Sequence, residues 1–182
     1  MTMKEEWKKI EGWEYEISNQ GRVRTDRPLI RRNSIEYTGL RFRKTSVSGN
    51  GYSVVTLCGQ TGTGTKRTFN VHRLVWEAFV GDAPEGMEID HINRNRSDNR
   101  LENLRLSTRQ ENKCNLSNRK NTLSGYKGVQ EQCGKFVGYI NKTGKRHYLG
   151  RYETAEAAAQ AYNDAAIKLH GEFASLNDID VP

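Results

Sequence analysis

Cysteine is scarce in this 182-residue chain, and the three present, Cys58, Cys114 and Cys133, are scattered, odd in number and without a C-x-x-C pair. That pattern supports neither a disulfide framework nor a zinc knuckle, and it fits a reduced, cytosolic setting. Long apolar runs are missing as well. The N-terminal MTMKEEWKK lacks the hydrophobic centre of a signal peptide, and nothing further on approaches the length of a membrane span. The expectation is a soluble intracellular protein with no membrane partner. Hydrophobic residues amount to only 35%, which favours small modules with large exposed surfaces over one thick core. Acidic residues are outnumbered, 22 against 29 Lys and Arg, for a net charge of +7. That excess favours a polyanionic partner, although charge alone does not identify nucleic acid.

What is present is concentrated between Glu88 and Asn115, EIDHINRNRSDNRLENLRLSTRQENKCN. Asp90 and His91 sit side by side on the apolar run Ile89 to Ile92, Asn103 lies in a Leu-Glu-Asn-Leu step, and Asn112 follows a polar turn. The layout predicts a strand over 89–92, a long Asn-rich loop over 93–100, a second strand over 104–106, and a helix capped by Ser107 or Thr108. Hydrolysing a phosphodiester needs a cation to neutralise charge on the phosphate and leaving oxygen, and a base near neutral pKa to take a proton from water. Asp90 offers the first and His91 the second. Adjacent strand residues point to opposite faces, so both reach one phosphate only if the strand end twists or bulges.

On these residues the stretch resembles the HNH nucleases, the ββα-metal family. The resemblance implies that Asp90 and the helix-borne Asn112 bind one divalent ion, that His91 is the general base, and that Asn103 ties the loop. One carboxylate with one amide oxygen is a weak trap for a hard cation, so the ion is expected to be shared with DNA phosphates, with Mg2+ as occupant and Mn2+ able to substitute. Taken singly, each residue also has an ordinary reading, as a surface polar pair or as asparagines making local turn bonds. Together, at these spacings, they favour the nuclease.

The segment 7–25, WKKIEGWEYEISNQGRVRT, carries an alternating pattern through Ile10, Trp13, Tyr15 and Ile17, a turn over 18–21 and a second short strand over 22–24. It resembles the small N-terminal module that accompanies many phage and intron-borne HNH endonucleases, which makes Arg22 and Arg24 candidate DNA-backbone contacts. Strands are expected over 52–57 and 66–70. The first 70 residues hold 13 basic and 7 acidic residues, against 9 and 8 over 71–123, so most of the net charge is N-terminal. VHRLVWEAFV at 71–80 places Val71, Leu74, Val75, Ala78 and Phe79 on one helical face, with Asn70 as candidate N-cap and Gly81 as stop. It resembles the family's lead-in to the catalytic hairpin. His72 is there a second-tier catalytic candidate and Arg73 a candidate phosphate contact.

Residues 115–123 read as a polar linker. Beyond it, three short strands, about 128–132, 135–141 and 147–152, precede an alanine-rich helix capped by Thr154, buried along Ala158, Tyr162, Ala165 and Leu169, and ended by Gly171. Tyr126-Lys127-Gly128-Val129, Tyr148-Leu149-Gly150, the Thr-Ala-Glu helix start and Leu176-Asn177 resemble the plant APETALA or ethylene-response DNA-binding domain. The resemblance implies a sheet that enters the major groove of double-stranded DNA and reads it through Lys127, Gln130, Gln132, Tyr139, Asn141, Arg146 and Tyr148. Several of the family's arginines are Gln or Asn here, so its DNA preference does not carry over. From 124 to 151 there are six basic residues and one acid, whereas 152–182 has one lysine and six acids.

The sequence therefore predicts an α+β protein of small modules: a basic β-rich DNA-binding module over 1–70, a ββα-metal core over 71–114, a linker over 115–123 and a DNA-binding domain over 124–182. The function expected is a site-directed, homing-type DNA endonuclease. It acts as a monomer that nicks one strand, in the cytosol of a bacterial host. The competing reading is a non-catalytic, sequence-specific DNA-binding regulator that keeps the HNH architecture. A binder has no need of Asp90, His91 and Asn112 together.

Overall fold

The structure is a computed structural model that describes residues 4–27, 29–31, 34–37, 39–59, 65–115 and 124–179. Pro28, most of the Gly-Thr repeat and the linker beyond Asn115 lie outside the described residues. The chain forms two compact units, Met1–Leu106 and Ser107–Pro182. Small antiparallel sheets and three α-helices make up the described residues, the α+β architecture the sequence implied.

In the first unit β1 (Trp7–Lys9), β2 (Glu16–Ser18) and β3 (Val23–Thr25) form a meander. After the β4 (Leu29–Arg31) and β5 (Ser34–Tyr37) hairpin, β6 (Arg41–Phe42) joins its edge in the order β1-β2-β3-β6. The alternation expected through residues 10–17 is split. Ile10 and Tyr15 close a turn, with Ile10 N–H donating to the Tyr15 carbonyl at 2.9 Å and Gly12 at φ 74°, so the strand pairing begins at Trp7 instead. Three further strands, β7 (Ser46–Val47), β8 (Ser53–Cys58) and β9 (Lys66–Asn70), pair in that order. In β8 the period-two pattern turns Val55 and Leu57 inward.

Helix α1 (Val71–Phe79) packs Val71, Leu74, Val75 and Trp76 into one core with Ile10, Tyr15, Ile17, Val23, Val55, Leu57 and Leu104. Asn70 has the extended backbone of a cap residue but makes no side-chain cap bond, contrary to its expected role. The helix stops where Val80 and Gly81 both donate to the Trp76 carbonyl, Gly81 taking φ 120°. Strands β10 (Met87–His91) and β11 (Leu104–Thr108) then form the hairpin that carries the Asn-rich loop, with a single 3-10 turn over Leu101–Asn103.

The second unit holds α2 (Arg109–Asn115), the sheet β12 (Val129–Gln132), β13 (Lys135–Lys142), β14 (Lys145–Tyr152), and α3 (Ala155–His170). Thr108 caps α2 in a reciprocal box: its hydroxyl accepts from Glu111 N–H at 3.2 Å, and the Glu111 carboxylate accepts from Thr108 N–H at 2.8 Å. Thr154 caps α3 through Ala157 N–H. Ala158, Ala159 and Ala166 are fully buried because α3 lies close on the sheet, and Gly128, at φ 76°, lies so near the Tyr162 ring and the Tyr139 carbonyl that a Cβ there would collide with both. The buried stripe is rotated from the one read in sequence. Ala159, Asn163 and Ala166 turn inward with Ala158 and Tyr162, while Ala165 and Leu169 are only partly covered. Asn177 locks the unit, accepting from Lys127 N–H at 2.6 Å and bonding Asn163 in both directions.

Candidate active site

Asp90 and His91 end β10 and are 6% and 4% exposed, so both members of this adjacent pair are held inside the structure. The chain turns at once, Arg94 N–H donating to the His91 carbonyl at 2.9 Å with Arg94 at φ 65°. Across the hairpin, Ile92 N–H donates to the Asn103 carbonyl at 2.9 Å. Two residues further along each strand come Asp90 and Arg105, and the Arg105 Nε and Nη2 donate to Asp90 Oδ2 at 3.1 and 3.0 Å. The loop is knotted by Asn103, whose Oδ1 accepts from Asn93 N–H while its Nδ2 donates to Asn93 Oδ1 and the Asp98 carbonyl, at 3.0, 3.0 and 2.8 Å. Arg100 bonds both oxygens of Asp98 and holds its carboxyl down at about 2, well below the usual range.

His91 is set among aromatic rings and one amide. Its Nε2 lies 3.3 Å from Asn99 Oδ1, and Asn99 Nδ2 donates to the Ser97 carbonyl at 3.0 Å, which turns the amide oxygen toward the ring. An acceptor at Nε2 places the imidazole proton there and makes Nδ1 the basic nitrogen. The His72 ring stands edge-on to His91 at 5.1 Å, and Tyr52 lies 5.0 Å from His72 and 5.9 Å from His91. The Arg96 guanidinium lies over the Tyr52 ring, 4.7 Å from its centre. Burial pushes the His91 pKa below its ordinary value, opposed by the Asn99 bond and by Asp90. His72 is pushed to about 3, chiefly by burial and then by the charges of His91 and Arg73, and its buried Nδ1 has no hydrogen-bond partner among the described residues.

Asp90, His91, Asn103 and His72 thus meet in the first unit, while Asn112 stands on α2 in the second. Sequence reasoning missed Asn99, Arg105 and Tyr52. Asn99 is one of several asparagines in the loop and carries no local mark. Arg105 could have been found by counting back along the hairpin from Ile92 and Asn103, once that pair is known. Among the described residues no group of three or more His, Cys, Asp and Glu surrounds a common point. The donor set is a carboxylate with Arg105 on one oxygen, which fits a hard cation taking most of its shell from phosphate and water, not a dedicated protein cage.

The expected DNA contacts are placed unevenly. Arg22 is ion-paired with Glu5, and Arg24 with Glu16 at 2.6 Å, both stacked on Trp7, with Arg22 also over Phe42. Arg73 is exposed on α1. In the second unit Tyr139 pairs with Tyr148 and Asn141 with Arg146 across β13 and β14. The Arg146 guanidinium lies 3.6 Å from the Tyr139 ring centre and donates to Gln130 at 2.8 Å, while Gln132 reaches the Tyr139 hydroxyl at 3.4 Å. Lys127 lies apart from this group, since its Nζ donates to the Cys114 carbonyl at the end of α2.

A buried carboxylate and histidine thus end a strand beside a loop knotted by one asparagine, and comparison with known proteins places this hairpin within a nuclease family model. The model of the HNH endonuclease family matches residues 69–114, and that of the NUMOD4 motif matches residues 5–58. Protein 3.8 of Escherichia phage T7 is 36% identical over 105 residues, 57% of this chain and 86% of that one. An uncharacterized HNH endonuclease, L560, of Acanthamoeba polyphaga mimivirus is 38% identical over 112 residues, 60% of this chain and 58% of that one. The chain belongs to the HNH endonucleases. A solved structure of DNA binding and cleavage by the HNH homing endonuclease I-HmuI aligns over 91% of both chains at 25% identity with a TM-score of 0.47. APETALA2-like protein 2 of Oryza sativa is 45% identical over 56 residues, 30% of this chain but 13% of that one.

Proposed function

We propose that this protein is a homing-type DNA endonuclease that hydrolyses one phosphodiester bond of double-stranded DNA at a time, as a monomer, in the cytosol of a bacterial host. The observation that carries the reading is the His91 environment: a buried imidazole whose Nε2–H is given to Asn99, so that Nδ1 is the nitrogen able to take a proton from water. Burial keeps that ring neutral at physiological pH, the form a base requires. Arg105 holds the Asp90 carboxylate in one orientation.

HNH nucleases in general use a divalent metal. Asp90 and Asn112 would hold it here, as Mg2+ or Mn2+, and it would supply charge neutralisation at the phosphate and leaving oxygen. The chain's own residues keep the carboxylate aimed, keep the base deprotonated and brace the loop between them through Asn103. One such site per chain accounts for a nick instead of a double-strand break.

The paired Tyr139, Tyr148, Asn141 and Arg146, with Gln130 and Gln132, would form the groove-reading face of the C-terminal sheet, and Lys127 would act by bracing α2. Arg22, Arg24 and Arg73 would add backbone contacts. A regulator without nuclease activity would have no use for a neutral buried histidine beside a buried carboxylate.

The test is incubation of the purified protein with DNA spanning phage and bacterial loci, with Mg2+ or with a chelator, and mapping of the products on strand-separating gels. Single-strand nicks that need the metal are expected, and His91→Ala should abolish them while retaining DNA. Cleavage by His91→Ala at the wild-type rate would overturn the reading.

A further inference from the structure

The loop that presents His91 is gripped by the N-terminal segment. The turn after β2 places Gly21, at φ 78°, directly against Asn99: a Cβ added there would stand 2.9 Å from the Asn99 Cβ and 3.2 Å from its carbonyl oxygen. The same turn accepts the Leu101 N–H on the Asn19 carbonyl at 2.8 Å. Asn19 is itself buried, its Oδ1 accepting from Glu6 N–H at 3.1 Å and its Nδ2 donating to the Lys4 carbonyl at 2.9 Å. On the other side of the loop, Ser53 N–H donates to the Arg96 carbonyl at 3.4 Å, and the Arg96 guanidinium donates to the Asn50 carbonyl at 2.6 Å. Asn99 therefore cannot retreat from His91 without displacing the turn, and the turn cannot accept a side chain at position 21 without pushing Asn99.

We infer that the N-terminal segment belongs to the catalytic apparatus: Gly21 and Asn19 clamp Asn99 as a positioning residue, which fixes the proton of His91 on Nε2 and so selects Nδ1 as the base. The inference rests on His91 being that base. Its physical basis is that a histidine with its acceptor removed can turn its ring or exchange tautomers, and either change takes the basic nitrogen away from the water it must reach. The clamp acts on the reaction step and not on DNA affinity, because neither Gly21 nor Asn99 is placed as a DNA contact.

The experiment measures single-turnover nicking rate and DNA dissociation constant in the full chain for Gly21→Ala, Asn99→Ala, the double variant and Asn99→Asp. Asn99→Ala should slow nicking on the order of 10²-fold with the dissociation constant unchanged. Asn99→Asp keeps an acceptor oxygen toward Nε2 and should recover much of the rate, which a purely structural loss would not. Gly21→Ala should slow nicking too, and the double variant should be little slower than Asn99→Ala, since both act on one contact. Multiplying effects, a loss that follows the dissociation constant, or an Asn99→Asp rate no better than that of Asn99→Ala would overturn the inference. If Gly21→Ala does not fold, the comparison of Asn99→Ala with Asn99→Asp decides alone. His91→Ala separates the two readings: if it nicks normally the base assignment is wrong, and if it is inactive while Asn99→Ala is normal only the clamp is wrong.

Discussion

His72 shows how a residue's surroundings can outweigh its type. In an unfolded chain it titrates near 6.5, and in the fold burial and the neighbouring cations bring it to about 3. Between those values the unfolded state binds the extra proton. The stability His72 contributes is therefore fully present above about pH 6.5 and is lost as pH falls toward 3. Urea denaturation at pH 7 and at pH 4.5 should show wild type losing stability on acidification, and His72→Gln should lose distinctly less. Equal losses would mean that His72 titrates normally. Asp90 and His91 could be picked out as candidates from type and spacing, since phosphodiester hydrolysis restricts the side chains that serve, and Asn103 only through the family resemblance. Asn99 could not, because an asparagine that orients a base and one that closes a turn have the same local sequence.

At the level of elements, caps separate the helices. Thr154 and the Thr108–Glu111 box are bonded as their sequence signatures imply, whereas Asn70 is a cap residue by type and backbone only. Thr154→Ala should cost about 1 kcal/mol of stability, and Asn70→Ala should stay within about 0.5 kcal/mol, both read from urea midpoints. Thr108 and Glu111 matter more than α2's seven residues suggest, since a helix that short is not stable alone. Strands β2, β3 and β8 to β14 and helices α1 and α3 were legible from periodicity and turn signals, and α2 from its cap. Strands β4 to β7 were not, and neither was β1, because WKK has no alternation to show. It becomes a strand by pairing Trp7 with Ser18 and Lys9 with Glu16.

For the whole molecule, charge and core say different things. Basic residues are spread over N- and C-terminal segments, which favours several footholds on DNA, each adding salt-dependent affinity. Arg146→Ala should weaken binding and reduce the slope of log affinity against log salt by about 1 if the guanidinium meets a phosphate, read by titration at several salt concentrations. Deleting residues 124–182 should leave weaker, less selective nicking, seen as nicks spread over more sites on the same DNA.

The sequence by itself determined the chemistry: the residue types that can hydrolyse a phosphodiester, the helical and strand periods that carry them, and a positive balance suited to a polyanion. Only the tertiary structure decided that Ile17, Val23 and Leu57 share a core with Val71, Leu74 and Val75, and that Gly21 closes on Asn99 behind His91. Local patterns encode which face of an element is apolar. They do not encode which distant face covers it, because that choice is made by shape and excluded volume between residues far apart in the chain.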